Sequence, residues 1–197
     1  MKNNVFIHKS SYVDENVYIG KNTKIWHFSH IQKNAKIGRN CTIGQNVNIG
    51  HNVIIGDNVK IQNNVSVYNG IFIEDSVFIG PSVVFTNVIN PRSFVEKKDE
   101  FKQTLIKYGS TIGANATVIC GHIIGKYSLI GAGSVVTNSV PDYALVYGNP
   151  ARIKGWVCNC GEKLLPKNWI EYNFRGIMKC SKCDELYTIH ENIVNNI

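Results

Sequence analysis

An all-β solenoid is the fold class this 197-residue sequence predicts, and three observations predict it. An aliphatic or aromatic residue recurs at every sixth position. Asparagine or glycine recurs three places after it. No amphipathic-helix spacing appears before the C-terminal tail. A short strand closed by a bend, repeated many times, satisfies all three, because a fixed short period is the mark of stacked units sharing one continuous core.

The beat starts at Ile7 and runs by sixes through Val13, Ile19, Ile25, Ile31, Ile37, Ile43, Ile49, Ile55, Ile61, Val67, Ile73 and Ile79 to Phe85. It breaks there and resumes as Ile106, Ile112, Val118, Ile124, Ile130 and Val136, so Pro91–Leu105 is expected to be an inserted loop. Four places after each beat stands a small or β-branched residue, such as Thr23, Ser29, Ala35, Cys41, Val47 or Ala116, so both positions should face a narrow interior. Three places after it stands Asn at 16, 22, 34, 40, 46, 52, 58, 64 and 115, or Gly at 70, 109, 121 and 133. These residue types tolerate a left-handed backbone, which a sharp corner requires.

Violations of a repeat that leave its core intact are where function is expected. The place after the beat is Gly at 20, 38, 44, 50, 56, 80, 113, 125 and 131, and bulky or polar replacements occur at Trp26, Gln62, Tyr68, Glu74 and Thr86. The last four lie close together and lead into the insertion. Long loops inside a compact repeat are more often functional than idle.

The hexads fit the pattern [LIV]-[GAED]-x2-[STAV]-x, which resembles the repeat of left-handed β-helix acyltransferases over roughly residues 7–157. That resemblance implies a left-handed parallel β-helix in which three hexads make one triangular coil, so that residues eighteen apart stack. His51, Asn69 and Asn87 then form one polar ladder, and His27, Gln45 and Asn63 a second, both expected near the loop. The segments "KIWHFSHI", "VKIQNNVSVY", "GPSVVFTNVINPRS", "GANATVICG", "GAGSVVT" and "VPDYALVYGNPAR" are similar to those of nucleotide amino-sugar N-acetyltransferases. The form "FTNVINPRS" resembles most the subgroup that acetylates UDP-2-acetamido-3-amino-2,3-dideoxyglucuronate in surface polysaccharide (lipopolysaccharide O-antigen) precursor synthesis. The relatives acting on dTDP-3-amino-6-deoxyhexoses are the alternative.

The resemblance implies a homotrimer that binds acetyl-CoA between subunits, with Gly113, Ala114, Gly131, Ala132 and Arg152 on the cofactor side. Asn87 is the implied catalytic residue. A carboxamide is no base at neutral pH, so its part would be to orient the amine or carbonyl by hydrogen bonds. Gln62, Asn63, Tyr68, Asn69 and Arg92 are the candidates for holding the sugar nucleotide. Arg92 suits a carboxylate or phosphate because guanidinium meets either with two parallel hydrogen bonds. His51 and His122 are rival bases, His122 at an interior-type position and His51 about two coils from Asn87.

After the solenoid, a second segment over residues 158–197 carries Cys158-x-Cys160 and Cys180-x2-Cys183. Two thiolate pairs beside turn sequences predict a small zinc-ribbon-like appendage with a closed, structural Zn site. Cys158 has the less common spacing, and His190 is its possible substitute. Disulfides are the competing reading, disfavoured if the protein is cytoplasmic, as expected from a start without an apolar leader. The net charge of +7 sits on the solenoid and the residues just after it, since acidic and basic residues balance from Cys158 onward. That suits anionic small molecules, and neither nucleic acid nor membrane insertion is expected. A γ-carbonic-anhydrase-like protein would need paired histidines at H-x4-H and a third, whereas His27 and His30 are three apart and His51 and His122 stand alone. A non-enzymatic scaffold with a docking ribbon is the remaining alternative.

Overall fold

The computed structural model describes residues 4–164, 176–190 and 193–197. Each hexad forms a two- or three-residue strand, from Phe6–Ile7 at one end to Val135–Val136 at the other. Every strand pairs in parallel with the strand three hexads on, as in Lys24↔Thr42, Ile25↔Ile43, Lys60↔Phe78 and Ile61↔Ile79. Three flat faces result, with ten, seven and six strands. The first face carries Ile7, Ile25, Ile43, Ile61 and Ile79. Val13, Ile31, Ile49, Val67 and Phe85 lie on the second, and Ile19, Ile37, Ile55, Ile73 and Ile106 on the third.

The interior is the beat itself. Ile25, Ile31, Ile37, Ile43, Ile49, Ile61 and Ile79 are wholly buried, as are the four-places-on residues Ala35, Val53, Val59, Val65 and Ala116. Buried hydroxyls close their own hydrogen bonds: Thr23 Oγ1 donates to the Gly38 carbonyl at 2.7 Å and accepts from the Cys41 amide at 3.0 Å. A polar group in so narrow a core is tolerated because it is paired.

The corners are built as the asparagines predict. Asn16, Asn22, Asn34, Asn40, Asn46, Asn52, Asn58, Asn64 and Asn115 all have φ between 54° and 62°. Their side chains stack from coil to coil, Asn22 on Asn40 at 3.0 Å and Asn46 on Asn64 at 3.0 Å. Phe28, Ser76, Ser82, Tyr127 and Tyr143 occupy equivalent left-handed corners that the asparagine pattern did not flag. The glycine after the beat has a different cause. A Cβ on Gly113 would lie 2.5 Å from the Ala132 amide nitrogen, and one on Gly80 2.7 Å from that of Ala114. The next coil's backbone fills the space a side chain would take.

Two boundaries differ from the sequence expectation. The excursion opens after Phe85 and ends before the strand Thr104–Ile106, so Thr104 and Leu105 are wall residues. Thr104 is buried, and its amide donates to the Gly70 carbonyl at 2.9 Å. Packing also does not stop at Val157. The strand Arg152–Val157 pairs antiparallel with Ala144–Tyr147 and then with Lys163–Leu164, extending the first face. The final sheet, Gly176–Lys179, Leu186–His190 and Ile193–Asn196, is antiparallel. Its Met178, Tyr187, Ile189 and Val194 join the same buried cluster as Tyr143, Trp156 and Leu164. The tail therefore covers the end of the solenoid, where an open array would leave its core in water. No helix among the described residues is long and apolar enough to cross a membrane, which says nothing of a β-barrel.

Candidate functional site

The residues singled out from sequence fall on two different edges of the prism. His51, Asn69 and Asn87 each follow a strand of the second face and line the edge between the second and third faces. Asn69 Nδ2 lies 3.0 Å from His51 Nε2, so the expected ladder exists in its lower half. With the amide nitrogen donating, the imidazole accepts at Nε2. Asn87 is half-buried at the root of the excursion, where its carbonyl accepts from the Lys102 amide at 3.0 Å and ties the two ends of the loop together.

Beyond Asn87 the loop is solvent-exposed. Arg92 and Val95 form an isolated antiparallel bridge, and Lys97 pairs with Glu100 at 3.0 Å and reaches Asn90. The Arg92 guanidinium folds back on the Pro91 carbonyl at 3.0 Å and stays exposed, accessible to an anion. Tyr68 is 40% exposed beside Asn69.

The second ladder lies elsewhere, which corrects the expectation that both stand near the loop. His27, Gln45, Asn63 and then Pro81 and Ala114 follow strands of the first face. Their carbonyls accept in turn from Asn46, Asn64, Ser82, Asn115 and Gly133 up the edge between the first and second faces. Asn63 Oδ1 accepts from the Gln45 amide at 3.0 Å, so its side chain serves the corner. Gln62, Asn63, Ala114 and Ala132 thus share one edge, and Tyr68, Asn69 and Asn87 another, with the width of the second face between them. The physical reason is the period: a residue two places past the beat sits on an edge set by its coil position modulo eighteen. The two ladders differ by six.

Gly113 and Gly131 are accounted for by packing alone, the latter because a Cβ would come within 2.7 Å of Tyr147 Cβ. Ala132 is exposed and Ala114 half-buried on the outer wall, and Arg152 is exposed at the start of the strand that follows "GNPA". His122 is half-buried, and its carbonyl accepts from the Leu105 amide at 3.2 Å.

Two of the violations serve the coil itself. Glu74 Oε2 accepts from the Tyr108 amide at 2.8 Å and Thr86 Oγ1 from the Cys120 amide at 2.9 Å. Both satisfy backbone donors of the coil displaced by the excursion. The signal was their partner spacing of thirty-four residues, one more than the thirty-three that separate in-register residues such as Ile73 and Ile106 across the excursion. At the N-terminal end Trp26 packs on Phe6 at 5.4 Å, and His8 lies over His27 at 3.5 Å. Burial, His27 and Lys9 all push the His8 imidazole down from its ordinary value. His30 Nε2 meets Asp14 Oδ1 at 2.8 Å and holds that carboxyl below the usual range.

The tail brings Cys158, Cys160, Cys180 and Cys183 together, their four sulfurs all within 4.8 Å of one another. This is the one group of metal-ligating side chains among the described residues, and such a group could hold a metal. Cys158 is part of it and His190 is not. The Cys180 thiol, opposed by burial, is still drawn down to about 7 by the Lys182 and Cys183 amides and its neighbouring thiols. At Cys183 the Glu185 amide favours the thiolate, but the Cys158 sulfur, burial and the other thiols push it up to about 12.

Comparison with known proteins places the repeat. Residues 34–69 match the family model "Bacterial transferase hexapeptide (six repeats)", and residues 108–138 match "Hexapeptide repeat of succinyl-transferase". A dTDP-3-amino-3,6-dideoxy-alpha-D-galactopyranose 3-N-acetyltransferase of Aneurinibacillus thermoaerophilus is 45% identical over 99 residues, 50% of this chain and 47% of that protein. The match thus spans less than half of that curated relative's length. The acetyltransferase domain of PglB from Neisseria gonorrhoeae FA1090, solved with acetyl coenzyme A, superposes with a TM-score of 0.52 at 21% identity, over 78% of this chain and 58% of that one. A hexapeptide transferase family protein from Anaplasma phagocytophilum gives 0.54 at 21%, over 75% and 80%. At such identities these two structures speak to the fold alone.

Proposed function

We propose that the chain is an acetyl-CoA-dependent N-acetyltransferase acting on the amino group of a nucleotide-linked amino sugar. The observation that carries it is the 45% identity with the dTDP-3-amino-3,6-dideoxygalactose enzyme, over 99 residues. That likeness favours a dTDP-linked 3-amino-6-deoxyhexose over the UDP-linked glucuronate suggested by "FTNVINPRS". The glucuronate remains the second reading, because Arg92 in that motif is exposed and free to meet a carboxylate.

In the reaction, the neutral amine nitrogen attacks the thioester carbonyl carbon, the C–S bond breaks, and the departing thiolate takes up the ammonium proton. The enzyme has to align the two partners and stabilise the oxyanion. Asn87 is read as the amide that aims the amine, with Asn69 and Tyr68 beside it for the sugar nucleotide. Ala114, Ala132 and Arg152 are read as the acetyl-CoA side. Since Asn87 and the two alanines stand on different edges, one chain cannot bring them face to face, and a homotrimer is the arrangement proposed.

The third face supports this. Its outward residues in register are Ile54, Phe72, Leu105 and Ile123, an apolar row without equal length on the other two faces. It begins at the edge bearing Asn87, so a sister chain packed against it would lie beside the loop. A panel of dTDP- and UDP-linked amino sugars, incubated with acetyl-CoA and followed by thiol release, tests the reading. Turnover of a dTDP-3-amino sugar is expected. Turnover of the UDP-glucuronate alone selects the second reading, and no turnover of any amino sugar removes both.

A further inference from the structure

We propose that the four tail cysteines hold one Zn2+ whose work is to fasten the tail as a lid over the end of the solenoid. The inference is independent of the acetyltransferase reading. It starts from the sulfur geometry: Cys158 Sγ lies 3.3 Å from Cys183 Sγ, and Cys160 Sγ lies 3.7 Å from Cys180 Sγ. A disulfide needs about 2.05 Å. A tetrahedron of thiolates around Zn2+, with Zn–S near 2.3 Å, has edges of about 3.8 Å. The separations suit a shared cation and not two S–S bonds.

The backbone around the sulfurs is built twice to one plan. In the first loop the Cys158 amide donates to the Glu162 carbonyl at 2.8 Å, and Gly161, with φ 87°, follows the second cysteine. In the second loop the Cys180 amide donates to the Glu185 carbonyl at 2.8 Å, and Asp184, with φ 62°, follows the second cysteine. The amide of Cys160 lies 3.5 Å from Cys158 Sγ, and that of Lys182 lies 3.4 Å from Cys180 Sγ. Amides aimed at the sulfurs are the outer shell that thiolate ligands use to spread their charge. The C-x-C pair is therefore the same knuckle as the C-x2-C pair, closed one residue earlier. Cys160 and Cys183 are exposed while Cys158 and Cys180 are buried, so an ion has a way in from one side.

The site joins the two parts of the chain that most need joining. Cys158 ends the strand Arg152–Val157 on the solenoid, and Cys180 ends the strand Gly176–Lys179 of the tail sheet. Tyr187, wholly buried, places its hydroxyl 3.1 Å from Cys158 Sγ and 3.0 Å from the Asn159 amide. Its ring packs on Tyr143 at 5.4 Å, and Tyr143 on Tyr127 at 5.3 Å, in an aromatic column that runs back along the corner. A three-stranded sheet of this size has too little core to stand alone, and a metal commonly supplies the missing free energy.

The test uses the full chain, purified under reducing conditions with no metal added and analysed by mass spectrometry for metals. About one zinc per chain is expected, none in Cys160→Ser, and a full complement in the exposed control Lys163→Ala. Stripping the zinc should open the sheet over residues 176–190 to protease while the solenoid's β signal in circular dichroism is kept, and adding Zn2+ should restore resistance. Cobalt in its place should give the charge-transfer absorption of a tetrahedral thiolate site. Four free thiols without metal, two disulfides by thiol counting, iron as the native ion, full zinc retention in Cys160→Ser, or equal protease resistance with and without zinc would each overturn the proposal.

Discussion

Replacing Ile61 by alanine is the most direct measurement of what the six-residue beat does. Ile61 is wholly buried on the first face, with Ile43 and Ile79 in register on either side. The change removes three carbons, a transfer loss of about 2.4 kcal/mol at ~0.8 kcal/mol each. The hole cannot close easily. The walls are fixed by ladder bonds, the Gly44 amide to the Ile61 carbonyl at 2.8 Å and the Gln62 amide to the Ile79 carbonyl at 2.9 Å. A cavity term therefore adds, and about 3–4 kcal/mol in total is expected, within the range seen for buried aliphatic truncations. The neighbour in the same strand, Lys60, points outward and is exposed, so Lys60→Ala should lie within about 0.5 kcal/mol of wild type. Urea unfolding followed by circular dichroism gives both numbers, provided the slope with denaturant is unchanged. Because a repeat array can lose its ends first, the transition to compare is the one that removes the central coils. A loss below about 1 kcal/mol for Ile61→Ala, or equal losses for the two variants, would mean that the beat does not mark a close-packed interior.

Asn87→Ala is expected to lower kcat by about a hundredfold with an unchanged β signal and unchanged binding of CoA, read by steady-state kinetics and calorimetry; full turnover would remove Asn87 from the mechanism. Tyr187→Phe keeps the ring against Tyr143 but strips the acceptor from the Asn159 amide, and should cost about 1–3 kcal/mol of tail stability without loss of β content, measured by thermal unfolding with the metal present. The Asp14 carboxyl is held below its ordinary value by His30, so the unfolded chain binds more protons than the folded one as pH falls through the ordinary carboxylate range. The pair's contribution is therefore present above about pH 4 and lost on acidification towards the folded pKa. The melting-temperature gap between wild type and Asp14→Asn should shrink in that direction, and a gap that widens on acidification would contradict the pairing.

Much of this was legible in the sequence because the solenoid repeats its physics. Ile25, Ile31 and Ile37 obey the same rule, and each Asn corner adopts the left-handed backbone for which asparagine is suited, so the core and the bends could be written down position by position. Legibility failed where a residue answers to something outside its own hexad. Tyr127 and Tyr143 take corners where asparagine was the rule because they stack with Tyr108 and Tyr187 in a column that ends in the tail. Glu74 and Thr86 looked like site residues because their partners, the Tyr108 and Cys120 amides, lie beyond the excursion and outside their own hexads. The four cysteines were readable from their spacing, but the lid they anchor was not. Its contacts, Tyr187 to Cys158 and Met178 within the common core, join segments with no shared period.

The division of polar residues between edges follows from the same arithmetic and constrains how any reaction could be assembled. A residue's edge is decided by its place in the eighteen-residue coil, so no local adjustment can carry Asn87 to the side of Ala114 and Ala132. Only rotation by a full face does that, and within one chain a face is rigid, its strands tied by hydrogen bonds of 2.7–3.2 Å from coil to coil. A second chain turned about an axis parallel to the solenoid supplies that rotation without bending anything. The apolar row Ile54, Phe72, Leu105 and Ile123 lies on the face that such a contact would cover. Replacing Ile54 and Ile123 by aspartate should therefore remove amino-sugar acetylation together with self-association, while Asn87→Ala lowers only the first. Sedimentation velocity on both variants separates the cases, and a monomeric wild type that still turns over would break the link between edge and assembly.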